Sequence, residues 1–174
     1  MLLIEFRISV NTFNVKEIST VQHCSLEWRL GGTSMKQMAV NPLILFGITA
    51  TVFFLIDLIW IGVVAKSFYA KTIGGMLRDQ VNWPAAIVFY LIYIGGILLF
   101  VLIPALKNGS GVMHVAVMAG LLGLFAYATF DLTALALFKD WPIVVTLVDM
   151  AWGTILTAAT AAVTMWIVQS VLKP

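Results

Sequence analysis

Residues 42–65 read PLILFGITATVFFLIDLIWIGVVA, an apolar run broken by one ionisable side chain, Asp57. At about 1.5 Å rise per residue, a helix of this length crosses the roughly 30 Å hydrocarbon layer of a bilayer. Three more runs of the same kind follow, over about Pro84–Ile103, Val112–Phe138 and Pro142–Leu172. The expected fold is all-α, a four-helix transmembrane bundle. Local punctuation agrees. Asn41-Pro42, Asn82-Trp83-Pro84 and Asp140-Trp141-Pro142 each set a capping side chain before a proline suited to the first helical turn. Pro104 and the stretch Asn108-Gly109-Ser110-Gly111 predict the end of the second span and a tight turn. Trp83 and Trp141 fall where interfacial tryptophans lie.

Composition leads to the same class. The chain has 174 residues, 61% of them apolar and 10% charged. A soluble domain is nearer 45–50% apolar and about 25% charged. Such a chain cannot cover a globule with polar surface, so the lipid bilayer is its expected partner. A net charge of +2 on scattered basic residues argues against nucleic acid. The single cysteine, Cys24, permits no internal disulfide and no cysteine metal site. His23 and His114 match no metal-ligand spacing, so no metal is expected. No nucleotide fingerprint or nucleophile motif identifies a cofactor or a catalytic residue.

Residues 1–34 differ from the rest. They carry Glu5, Arg7, Lys16, Glu17, Glu27 and Arg29, and Glu5 and Arg7 interrupt what a signal peptide would need as its apolar core. Met35-Lys36-Gln37-Met38 leads directly into the first apolar run. The expectation is that the protein starts at Met35, with residues 35–174 forming the membrane domain and residues 1–34 a weakly ordered extension from upstream. A genuine cytosolic extension is the other reading. The longest connection, residues 66–82, interleaves Phe68, Tyr69, Ile73, Met76 and Leu77 with Lys66, Lys71 and Arg78. It reads as an amphipathic connector or a short helix lying on the membrane surface. Lys36, Lys107 and Lys173 on one side face Lys66, Lys71, Arg78 and Lys139 on the other. That balance is too even for the positive-inside rule to orient the chain.

The informative residues are Asp57, Asp131 and Asp149. A carboxylate near the bilayer midplane costs roughly 2.5–3.5 kcal/mol on insertion scales. Asp57 precedes Lys66 by nine residues, Asp131 precedes Lys139 by eight, and Asp149 follows Asp140 by nine. Each is therefore expected about 12–14 Å from one membrane face. Tyr90 and Tyr93 of the second span fall at similar depth. Two stripes of polar and small residues support a polar axis. Thr146, Asp149, Gly153, Thr157, Thr160 and Thr164 form one, and Gly120, Gly123, Tyr127, Asp131 and Ala134 the other. The spans hold no Lys or Arg at that depth, so carboxyls this close must be protonated, share protons or face a cation. The competing reading is helix glue, with each aspartate accepting a hydrogen bond from a Trp, Tyr or Thr. Asp57 and Asp149 each precede a tryptophan, Trp60 or Trp152, by three residues.

Several of these stretches are familiar. Phe54-Leu55-Ile56-Asp57-Leu58-Ile59-Trp60-Ile61-Gly62 with Phe68-Tyr69, then Phe89-Tyr90-Leu91-Ile92-Tyr93 and Pro104-Ala105, resemble a bacterial membrane family known as domain of unknown function 2177. The resemblance is strongest in Tyr127-Ala128-Thr129-Phe130-Asp131-Leu132-Thr133, Trp141-Pro142 and Thr146-Leu147-Val148-Asp149-Met150-Ala151-Trp152-Gly153. It runs from about Met35 to the C-terminus. Ala134 stands where the family pattern has Asn. The resemblance implies a multi-pass protein of the bacterial inner membrane and supplies no activity.

The leading expectation is an intramembrane polar pocket that binds or transports a small solute or cation, linked to protons. Asp57, Asp131 and Asp149 are its titrating or ligating groups. Tyr90, Tyr93, Tyr127 and Thr146 are the hydrogen-bonding residues, and Trp60 and Trp152 the aromatic walls. Transport by four spans would need a homodimer or a larger assembly. The alternatives are an intramembrane enzyme of lipid or isoprenoid metabolism and a non-catalytic subunit of a membrane complex.

Overall fold

The computed structural model describes residues 40–171. The expected extension over residues 1–34, and the ends that hold Lys36 and Lys173, lie outside the described residues. Helix α1 (Pro42–Trp60) passes through a π-helical turn (Ile61–Ala65) into α2 (Lys66–Ile73) and a 3₁₀ turn (Gly74–Met76). Helix α3 (Trp83–Ile97) passes through a second π-turn (Leu98–Leu102) into α4 (Ile103–Asn108). Helices α5 (Val112–Leu137) and α6 (Ile143–Val171) complete the chain. The four rods Pro42–Met76, Trp83–Asn108, Val112–Leu137 and Ile143–Val171 are each long and apolar enough to cross a membrane. The protein is a four-helix membrane protein with no strand among the described residues.

Side-chain caps start the first two rods. Asn41 Oδ1 accepts from the Leu43 amide at 2.9 Å, and Asn82 Oδ1 from the Ala85 amide at 3.3 Å. The third capping site, Asp140-Trp141-Pro142, is built differently. Asp140 adopts a left-handed backbone (φ 63°), and the Trp141 indole donates to Thr146 Oγ1 at 3.1 Å. Gly109 (φ 65°) closes the second rod in a Schellman turn, with Ser110 N–H donating to the Ala105 carbonyl and Gly109 N–H to that of Leu106.

Two sequence expectations are corrected here. Pro104 does not end the second span. The helix continues to Asn108, and the wide turn at Leu98–Leu102 lies just before the proline. Proline lacks an amide proton and crowds the carbonyl four residues back, and a widened turn relieves both defects. Nor is the segment after Ala65 a separate surface element. The backbone stays helical through Trp60, Ala65 and Lys66, so α2 prolongs the first span.

Short connections join the rods, so successive helices run in opposite directions. Helices α5 and α6 pack along their length, and α1 packs on both α6 and α3. Glycines set the closest approach. A methyl group on Gly123 would overlap the Gly153 carbonyl oxygen, and one on Gly153 would overlap the Tyr127 ring. The apolar core (Ile97, Leu102, Val115, Ala119, Leu156 and Val168, all fully buried) occupies the half nearer the Schellman turn. The outer surface carries exposed Leu55, Leu58, Ile59, Ile92, Phe100 and Trp166, as lipid contact requires.

Candidate functional site

The other half of the bundle, toward the 77–82 and 138–142 connections, is polar and aromatic. Asp57, buried on α1, accepts a hydrogen bond from the Tyr90 hydroxyl of α3 at 3.2 Å. Asp149 of α6 accepts one from the Tyr69 hydroxyl of α2. Asp131 of α5 is fully buried, and among the described residues neither of its carboxylate oxygens has a hydrogen-bond partner. Thr146 does not reach that carboxylate. Its hydroxyl accepts from Trp141 and points to the Asp131 backbone carbonyl at 3.5 Å. The Tyr93 hydroxyl pairs with Thr157 at 2.6 Å, and Tyr127 stands edge-on to Tyr93 with ring centres 6.3 Å apart.

Trp60 and Trp152 stack face to face, with centres 4.3 Å apart and planes 9° from parallel. Asp57 and Asp149 each lie three residues before their tryptophan, on helices that run in opposite directions. With the rings at one level, the two carboxylates are displaced in opposite directions along the bundle, by about 4.5 Å each. Asp149 is thereby moved toward the 77–82 face, where Tyr69 meets it. Asp57 is moved toward the middle, where Tyr90 meets it. Asp57 and Asp149 are thus staggered along the bundle.

Two cavities lie among them. One, of about 200 Å³, is walled by Asp57, Asp149, Tyr69, Tyr90, Trp60 and Trp152, among others. The second, of about 220 Å³, is walled by Phe89, Tyr93, Ala126, Tyr127, Phe130, Asp131 and Asp149. They share Phe89, Tyr127 and Asp149. Asp149 thus connects a cavity holding Asp57 to one holding Asp131. Among the described residues, no group of three or more His, Cys, Asp and Glu side chains is arranged to hold a metal ion.

Tyr69 is the site residue that sequence reading placed elsewhere. Twelve residues of regular α-helix leave it about 120° around the axis from Asp57. A π-turn takes in one extra residue, worth about 100°, and brings the two to within about 20°. Asp57, Ile61, Ala65 and Tyr69, spaced four apart, accordingly line one cavity. That strict four-residue spacing was the available signal. Phe89, at the junction of both cavities, also went unassigned because it reads as one more lipid-facing phenylalanine.

The fold and site define a four-span membrane protein with a polar, aromatic-walled interior at one end. Residues 42–166 match the family model described as predicted membrane protein (DUF2177), and the chain belongs to that family. No curated protein and no solved structure matches the chain significantly.

Proposed function

We propose that the aspartate-lined interior binds a small cationic solute in exchange for protons, in a bacterial cytoplasmic membrane. One observation carries this reading: the buried, unpartnered carboxyl of Asp131, in the wall of a cavity that also holds Asp149. An ionised carboxylate taken out of water costs several kcal/mol unless a partner compensates it. Asp57 and Asp149 each have a tyrosine donor, and among the described residues Asp131 has none. A proton or a cation meets the need equally, so the two compete for one group. Tyrosine and phenylalanine rings in the cavity wall favour the cation further. Tyr90 and Tyr69 hold two of the carboxyls in place, leaving Asp131 as the exchanging group. Moving the solute across the membrane, as opposed to binding it, would need a homodimer or a larger assembly.

The test is calorimetric titration of the protein in lipid nanodiscs with methylammonium. The expected result is saturable binding whose affinity falls about tenfold per pH unit on acidification below the carboxyl's titration. It should be abolished in Asp131→Asn. An Asp131→Asn protein that binds methylammonium as tightly as the wild type would refute the reading.

A further inference from the structure

The second cavity reaches the outer surface of the bundle. The second and third spans touch through the π-turn Leu98–Leu102, in the half nearer the Schellman turn. Toward the other face, the cavity lies between them. Its border is formed by Phe89 and Phe130, which are 47% and 60% exposed on the outer surface of the bundle. Phe89 follows Pro84 by five residues and Phe130 precedes Phe138 by eight. At about 1.5 Å per residue, the mouth lies some 8–12 Å below the helix ends, within the hydrocarbon of one leaflet. A hydrated ion does not arrive by that route. A molecule already dissolved in the bilayer does.

We infer that this cavity is entered sideways from the lipid and takes the head of a membrane-dissolved amphiphile, a primary alkylammonium in chemical class. The inference rests on the cation-binding reading above and names its ligand. A primary ammonium offers three N–H donors to a site whose carboxyls, Asp131 and Asp149, accept hydrogen bonds when ionised. The rings of Tyr93 and Tyr127 line the cavity, aromatic walls suit a cation, and Ala126 leaves room beside them. A volume of about 220 Å³ is below the range of pockets that enclose a drug-sized ligand. It holds a head group and the first methylenes, while the chain stays in the bilayer between Phe89 and Phe130. The amphiphile enters as the neutral amine and takes up a proton from a carboxylic acid of the site. No covalent bond is made or broken other than that N–H and O–H exchange.

Octylammonium and methylammonium distinguish this from entry by water. Both are titrated into the protein in phosphatidylcholine nanodiscs, with octylamine referred to its concentration in the lipid. Ala126→Trp fills the cavity behind the mouth, and Phe130→Ala, at an exposed position, widens the mouth without touching the core. The expected result is saturable octylammonium binding that weakens at least about tenfold in Ala126→Trp and associates faster in Phe130→Ala. Methylammonium association should be unchanged in Phe130→Ala. If Phe130→Ala leaves octylammonium association unchanged while methylammonium still binds through Asp131, sideways entry is overturned and the pocket reading stands. If neither amine binds saturably to the wild type, both fall.

Discussion

The two halves of this bundle solve the same packing problem with opposite materials. Near the Schellman turn, Ile97, Leu102, Val115, Leu156 and Val168 interlock with no exposed surface. Toward the other face, Asp57, Asp131 and Asp149 stand among tyrosines and tryptophans beside two cavities. In lipid there is little hydrophobic drive for helices to associate, so close contact itself must hold them. The apolar half provides that contact. It is not free of polar atoms, since the Thr160 and Thr164 hydroxyls are buried there without hydrogen-bond partners among the described residues. A neutral hydroxyl, however, costs far less to bury than a charge. The polar half forgoes tight packing and holds the carboxylates. Such a division suits the cation-binding reading proposed above, which needs both stability in lipid and an open polar interior.

The contrast makes predictions of opposite sign. In the apolar half, Leu156→Ala should lower stability by about 2–5 kcal/mol, because a fully buried leucine leaves a cavity. Unfolding in mixed detergent micelles measures it, and methylammonium binding by the folded fraction should not change. In the polar half, Asp131→Leu should raise stability by about 1–4 kcal/mol while abolishing binding, because an unpartnered carboxyl is replaced by an apolar side chain. A large loss of stability there would mean that Asp131 is helix glue, and the contrast between the halves would collapse.

At the boundary, Gly153→Ala should cost about 1–3 kcal/mol, since the new methyl would overlap the Tyr127 ring. The same unfolding assay reads it, and a neutral result would show that α5 and α6 separate without penalty. The smallest effect belongs to Tyr69→Phe. Removing its hydrogen bond to Asp149 should cost about 0.6–1.7 kcal/mol, the range found for such bonds between membrane helices. Deleting Val63 should restore a regular α-helix and keep Tyr69 on the Asp57 face, since the eleven remaining steps of about 100° each leave the two about 20° apart. A deletion that lowers stability as much as Tyr69→Phe would remove the assigned role of the wide turn.

Much of this was legible in the residues alone. Hydropathy over 42–65 and its three counterparts sets the membrane class, because a run's transfer energy is a sum over its own side chains. The stripes through Gly120–Ala134 and Thr146–Thr164 follow from the period of one helix, and the structure buries Gly123, Asp131, Thr146, Gly153 and Thr157 as that period requires. What the period could not supply was phase across an irregular turn. The π-turn at Ile61–Ala65 changes the face that Tyr69 presents, and no propensity marks it. Nor could depth counted from loops show the stagger of Asp57 and Asp149, which arises because Trp60 and Trp152 meet from antiparallel helices.

The sequence by itself therefore determined a four-span membrane protein with three intramembrane aspartates, since length, polarity and helical period are local properties. The tertiary structure alone decided which aspartates find a tyrosine and which one does not. Tyr90 and Tyr69 reach their carboxyls from other helices, and the same packing leaves Asp131 without a hydrogen-bond partner among the described residues. Those outcomes depend on which side chains meet between helices, and spacing along one chain does not encode that.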